Sequence, residues 1–482
     1  MQGTHQYRAG SVLSDTTEST AAAWAAQALP KPSAKPVTRR TFVGVLPAGA
    51  TVLTLSAACG TAGTGQPGGQ PAPAKLSGTL HLMDWELGTG PAQDRWAKTV
   101  ARFKEKYPGV AIEEDRSNLF WQKLPAVVAA GTPPDYAVLR RQAEFPALAG
   151  KETVRPLDPY LAKSTVLKKD DFYARTVAMN SIGGKLLALP NTLNLYVLYY
   201  NKNLFAQQGV KLPTMEWDYN DFDEAAQKLT KKAGDQFQQA GVDMPTWWII
   251  HYLGSRDAGY WQGGLTDKSG CSRVNYDKPE VIAGYEWWQK HYCRLKTTEA
   301  DNKDKATAFE RGNAAMLLSW IRMGELNDKI GTQFEWDVTL APLADKKKPR
   351  VQTIIGSGAV IFKEAKQPDM AWAFMEFLND PQFLLEQVKT EGALSVYANR
   401  RIMESKEYQA SKTPPADKQT MVKGLEAGKF FPEASWEMRA MGVESPPTDI
   451  GKAVSCEAAP RDVLPAGAAA INAALKQAGA GC

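Results

Sequence analysis

Gly78-Thr79-Leu80-His81-Leu82-Met83-Asp84-Trp85 alternates polar with apolar residues near its start, the pattern of a strand with one buried face. Trp96, Val100, Phe103 and Tyr107 follow at spacings of four, three and four, which puts them on one face of a helix. Pro108-Gly109 stops that helix, and Val110-Ala111-Ile112-Glu113 reads as a second strand. A second helix over residues 121–130 ends at Gly131, and Pro133-Pro134-Asp135 leads into the apolar strand Tyr136-Ala137-Val138-Leu139. Strand, helix, strand, helix, strand implies an α/β fold with a parallel sheet and right-handed crossovers. Ligands of such sheets sit beyond the carboxyl ends of the strands. That rule selects Trp85 and Glu86 after the first strand, and Arg140, Arg141 and Gln142 after the third.

Further along, Gly183-Gly184 marks a turn, and residues 186–190 and 196–200 read as two short strands. The pattern turns helical after Pro213, with Trp-rich segments at residues 247–261 and 287–293. Strands return at residues 314–318 and 353–362, and helices at 371–378 and 462–478. There is no internal repeat and no heptad seam. At 482 residues a single core usually divides, so at least two domains are expected.

The composition, 44% hydrophobic and 23% charged, is that of a soluble globular protein. Net charge is +5, from 57 basic and 52 acidic residues, and it is spread out. The short run Lys346-Lys347-Lys348 reads as a solvated loop, and no nucleic-acid partner is expected. Arg39-Arg40 precedes a small, apolar, uncharged run over residues 43–58 that ends at Cys59, the physical form of an export signal. That run is too short and too rich in Gly, Ala and Thr for a membrane span, which needs ~20 apolar residues. Residues 38–43 resemble a twin-arginine export signal, and Leu55-Ser56-Ala57-Ala58-Cys59 resembles a bacterial lipobox with Cys59 as the lipidated residue. Ser56 departs from the large aliphatic residue usual at that position.

Residues 39–59 are thus expected to be the signal, 60–77 a flexible tether, and 1–38 a disordered extension or one upstream of a true start near Val37. Setting Cys59 aside leaves Cys271, Cys293, Cys456 and Cys482, an even number that permits disulfides outside the cytoplasm. The most local of the three pairings joins Cys271 to Cys293 and Cys456 to Cys482.

Seven stretches, in order, resemble the family of extracellular solute-binding proteins that includes maltose-binding protein. They are Phe103-Lys104-Glu105-Lys106-Tyr107-Pro108-Gly109-Val110, Ala130-Gly131-Thr132-Pro133-Pro134-Asp135, and Arg155-Pro156-Leu157-Asp158-Pro159-Tyr160-Leu161. Next come Leu198-Tyr199-Tyr200-Asn201-Lys202-Asn203-Leu204-Phe205 and Glu216-Trp217-Asp218-Tyr219-Asn220-Asp221-Phe222. Phe309-Glu310-Arg311-Gly312-Asn313-Ala314-Ala315-Met316 and the helix of residues 372–378, after Gly356-Ser357-Gly358, complete the set. One departure is Ser395 after Gly392-Ala393-Leu394, where the family often has proline.

The resemblance implies a two-lobed, periplasmic-binding-protein-like fold, each lobe a mainly parallel sheet flanked by helices, joined by a hinge. Residues 78–193 and 351–398 would form the first lobe, and 194–350 and 399–482 the second. The first crossing would lie near residues 192–196. By the same analogy the chain binds a sugar or oligosaccharide between the lobes and delivers it to the transmembrane subunits of an ABC permease. It would be a monomer held by lipid to the outer face of the cytoplasmic membrane, without cofactor, metal or catalytic residues.

Sugars offer apolar C–H faces to aromatic rings and hydroxyls to polar side chains, and the chain holds 14 Trp and 16 Tyr. Candidates for ligand contact are Trp85, Glu86, Arg140, Asn191, Thr192, Trp261, Trp320, Gly356, Ser357 and Trp436. Asn191 and Thr192 sit at the expected hinge, Trp261 in a Gly-rich loop, Trp320 after a strand, and Trp436 after Phe430-Phe431-Pro432-Glu433. For each, packing in a core or a turn is the competing role. Trp287-Trp288 and one of Trp247 and Trp248 are read as core.

Two other classes remain in view. A carbohydrate-cleaving enzyme needs two carboxylates flanking the scissile bond, and no stretch suggests such a pair. His5, His81, His251 and His291 are isolated from any nucleophile signature. A binding protein for glycerol phosphate or a polyamine would share the fold, and Arg140-Arg141 suits a phosphate.

Overall fold

A computed structural model of the chain describes residues 76–84, 91–115, 120–140, 144–234, 236–245, 248–259, 261–262, 272–298, 307–430, 448–477, 479 and 481–482. Its strands are β1 (Gly78–Met83), β2 (Val110–Asp115), β3 (Tyr136–Arg140), β4 (Ser181–Ile182), β5 (Lys185–Leu186), β6 (Leu189–Asn201) and β7 (Lys231–Ala233). They continue with β8 (Gln236–Asp243), β9 (Trp261–Gln262), β10 (Arg273–Val274), β11 (Ala314–Trp320), β12 (Trp336–Leu340), β13 (Gln352–Ile361) and β14 (Gly428–Phe430). Ten of these form one sheet in the order β2-β1-β3-β13-β6-β11-β8-β7, with β12 also on β6 and β14 also on β13.

The opening strands pair in parallel as their alternation with helices requires: β1 lies on β2 and on β3. The intervening helix, Pro91–Lys106, buries Phe103 against Phe374 and Phe377, with centroids 4.9 and 5.4 Å apart. Trp96 meets Phe374 edge-on at 5.9 Å, and its indole N–H donates to Glu114 at 2.9 Å. Gly183 and Gly184, at φ +59° and +78°, form the two-residue turn between β4 and β5, a conformation that favours glycine.

Of the two runs read from the sequence, 186–190 begins in β5 at Leu186 and ends in β6 at Leu189 and Pro190, and 196–200 lies wholly in the same 13-residue β6. Its first half, up to Leu195, pairs with β13, and its second half, from Tyr196, pairs with β11 and β12. Within this second half the faces divide the core. Val197 and Tyr199 join the larger cluster that also encloses β1 and β3. Tyr196, Leu198 and Tyr200 join a second cluster rich in aromatic residues.

That second core is built by the helices Tyr219–Lys228, Ile249–Gly254, Pro279–Gln289 and Pro460–Gln477. An Asp218–Asp221 capping box starts the first: Asp218 accepts the N–H of Asp221 at 3.1 Å, and Asp221 accepts that of Asp218 at 3.0 Å. Trp248, Trp287 and Trp288 are buried, as their helical positions suggest, and Trp287 stacks on Tyr252 at 4.7 Å. Asp223, His291 and Thr297 form a buried relay, with 2.8 Å from His291 Nε2 to Asp223 and 2.7 Å from Nδ1 to Thr297.

Cys293 is bonded to Cys456, with Cα atoms 6.4 Å apart across 163 residues, which overturns the most local pairing. Tertiary packing selects the partner: Gln289 donates to the carbonyls of Ala453 and Ala458 at 2.8 Å each, and Trp288 donates to that of Val454 at 3.1 Å. Cys482 is also disulfide-bonded, and Cys271 lies outside the described residues.

Two consequences for stability can be measured. Gly241 on β8 lies against the helix Tyr219–Lys228, where a Cβ would collide with the carbonyl oxygen of Ala226. Gly241→Ala should therefore lower unfolding stability by about 1–3 kcal/mol in urea titrations.

His251 is fully buried, stacked on Tyr196 at 5.5 Å, and neither ring nitrogen is hydrogen-bonded among the described residues. Burial, helped by the Arg350 and Arg256 guanidiniums, holds its pKa well below the usual imidazole value. The folded state thus keeps it neutral while the unfolded chain takes up a proton below pH ~6.5, so stability is lost as pH falls through that value. The urea midpoint should drop between about pH 7.5 and about pH 5.5, and drop less in His251→Phe.

Candidate functional site

The direction of each strand selects a candidate face. β3 ends at Arg140, β13 returns antiparallel to it, and β6 runs antiparallel to β13, so β6 continues the way β3 points. β11 runs antiparallel to β6 and ends at Trp320, opposite Tyr196. The carboxyl ends of β3 and β11 therefore face each other along the stretch of β6 from Thr192 to Tyr196. Four residues at about 3.3 Å each separate the two levels by about 13 Å.

A bulge adjusts this stretch. Gly356 pairs with Leu193 and Gly358 with Pro190, so the single residue Ser357 on β13 faces both Asn191 and Thr192 on β6. On its other side Ser357 pairs with Arg140. Paired residues share a face, as do residues two apart on a strand. Trp320 therefore lies on the face of Tyr196, with Asn194 two residues before it, Ile355 opposite Asn194, and Ser357 and Arg140 next in line.

Asn194 was missed from the sequence; the signal was a polar residue between Leu193 and Leu195, which are 2% and 0% exposed. The face thus carries a guanidinium, an amide, a hydroxyl and an indole. Arg140, Asn194 and Ile355 are half-buried, Ser357 is buried, and Trp320 is 39% exposed. Among the described residues Trp320 and Leu212 are the exposed large hydrophobics.

Other candidates fall elsewhere. Asn191 lines a separate cavity of about 160 Å³ with Asn379, Ser395, Tyr397 and Asn399. Gly356 is half-buried beside Ser357 on β13, and Thr192 holds its strand position in the bulge. Trp261 is 6% exposed and packs in the second core. Trp85, Glu86, Trp436 and Cys59 lie outside the described residues.

Behind the face, the turn after Trp320 is anchored by charge: Arg322 pairs with Glu310 and, at 2.6 Å, with Glu325, and Lys329 pairs with Glu310 at 3.2 Å. These cations hold the Glu325 carboxyl below its ordinary range against the effect of burial. Asp243, the carboxyl end of β8, is raised by burial although it accepts the Phe309 N–H at 3.2 Å. No group of three or more His, Cys, Asp and Glu gathers as metal ligands among the described residues.

Known proteins share this architecture. A Brucella abortus chain named as a binding protein is 22% identical over 331 residues, 66% of this chain and 75% of its own. An ABC substrate-binding protein of Listeria monocytogenes, solved with cycloalternan, superposes with a TM-score of 0.68 at 18% identity, covering 83% of this chain and all of the other. A maltose-bound protein of T. maritima superposes with a TM-score of 0.64 at 17% identity, covering 82% of this chain and 98% of that one. These likenesses show the two-lobed periplasmic-binding-protein fold. The family described as bacterial extracellular solute-binding protein matches residues 89–383, more than half of the chain. With that match running through β3, β6, β11 and β13, the chain belongs to the bacterial extracellular solute-binding protein family.

Proposed function

We propose that this chain captures a sugar or oligosaccharide between two lobes and hands it intact to an ABC permease. The supporting observation is the exposed Trp320 indole at the carboxyl end of β11, on one face with Asn194, Ser357 and Arg140. An indole suits the C–H face of a sugar ring, and the polar groups suit its hydroxyls. The sugars named with the Listeria and T. maritima structures favour the same class.

The lobe boundaries we infer are residues 78–193 with 351–398, and 194–350 with 399–482. The change of β6's partners between Leu195 and Tyr196 supports the first of them. Rotation there would close the lobes on a solute that touches both. Export through the Arg39-Arg40 signal and lipid attachment at Cys59 would keep the protein, as a monomer, at the outer face of the cytoplasmic membrane. No helix among the described residues is long and apolar enough to cross a membrane, and tethering by lipid requires none. Release of unaltered solute, without catalysis, completes this reading.

Tryptophan fluorescence and thermal shift against maltose, mannobiose, cycloalternan, glycerol phosphate and spermidine test it. One saccharide should bind saturably and be recovered intact, adding about 2.7 kcal/mol of stability at 100 times its Kd. Trp320→Ala should weaken that saccharide about tenfold or more. Cleavage of the sugar, or a response to glycerol phosphate or spermidine alone, would overturn the assignment.

A further inference from the structure

Trp320 ends its strand with a ring that is 39% exposed. Its backbone is pinned. The Ile321 N–H donates to the Leu195 carbonyl at 3.0 Å. The Tyr199 hydroxyl spans the turn: it donates to the Trp320 carbonyl at 3.2 Å and accepts the Arg322 N–H at 2.6 Å. One hydroxyl thus satisfies a carbonyl and an amide two residues apart, on either side of Ile321.

The ring that carries this hydroxyl is itself enclosed. Tyr199 is 0% exposed, lies between β11 and β12 opposite Leu317 and Val338, and packs near Trp336 at 5.9 Å and Phe309 at 6.5 Å. Burial raises its phenol pKa, which keeps the hydroxyl protonated and able to donate. Both pins, Leu195 and Tyr199, belong to β6, the strand that also carries Asn194. The indole's backbone is therefore referenced to the same strand as the polar groups of the face.

From this geometry we infer that Tyr199 is a positioning residue: its hydroxyl fixes the 320–322 turn and so sets the indole at the angle and depth needed to stack on solute. The inference rests on the reading that Trp320 contacts the sugar. Tyr199 itself touches no solute and acts through Trp320. The Arg322 ion pairs and the Tyr199 ring packing survive in Tyr199→Phe, so that variant keeps its fold while losing both hydroxyl bonds.

The test is a double-mutant cycle on the purified protein, using whichever of maltose, mannobiose or cycloalternan binds. Tyr199→Phe should weaken binding about fivefold, the equivalent of one neutral hydrogen bond. In a Trp320→Ala background the same change should cost nothing further. A ligand-free readout accompanies it: the acrylamide quenching of Trp320, taken as the difference between proteins with and without Trp320→Phe, should rise in Tyr199→Phe. Equal losses of affinity in both backgrounds, or unchanged affinity and unchanged quenching, would overturn the inference. If Trp320→Ala leaves affinity intact while Tyr199→Phe still raises quenching, the positioning stands and the solute contact at Trp320 fails.

Discussion

The structure depends on how one strand satisfies its hydrogen bonds. Buried backbone N–H and C=O groups must be paired, and β6, 13 residues long, cannot find one partner for its whole length. It pairs with β13 up to Leu195 and with β11 and β12 from Tyr196. That exchange links two half-sheets, with β3 and β11 ending toward each other on either side. A bulge opposite Ser357 sits beside the exchange, where an unpaired residue increases local twist and bends the strand. The candidate face is a consequence of this geometry and not of any single loop.

Each half of the sheet packs against its own set of side chains. The first half packs Phe103 edge-on against Phe374 and Phe377 beside a parallel β2-β1-β3 unit. The second relies on aromatic packing around Trp287 and Tyr252, on the buried Asp223–His291 pair, and on the Cys293–Cys456 bond. Burial pushes the Asp223 carboxyl up, but His291, Lys290 and Trp287 together outweigh it and hold the group below its usual range.

Elements were legible in the sequence where periodicity was clean and were lost where polar residues interrupt it. The strands at Leu80 and Val138 and the helix through Phe103 were legible because apolar residues recur at the spacing of the element. β6 was divided in the reading because Pro190, Asn191, Thr192 and Asn194 interrupt its apolar residues, and Asn194 is on the candidate face. Arg140, Ser357 and Trp320 were legible as strand-end or turn residues, and strand register brings them to one face. Trp261 gave the signal of a loop aromatic, yet tertiary packing buries it. The disulfide partner of Cys293 could not be read at all, since helix packing across 163 residues decides it.

The most direct test of the hinge-and-face account is small-angle X-ray scattering with and without the saccharide identified by titration. Closure about β6 and β13 should reduce the radius of gyration on saturation, and Trp320→Ala should need more sugar to reach the same compact state. A radius unchanged at saturating sugar, with binding confirmed in the same sample, would contradict capture between the lobes.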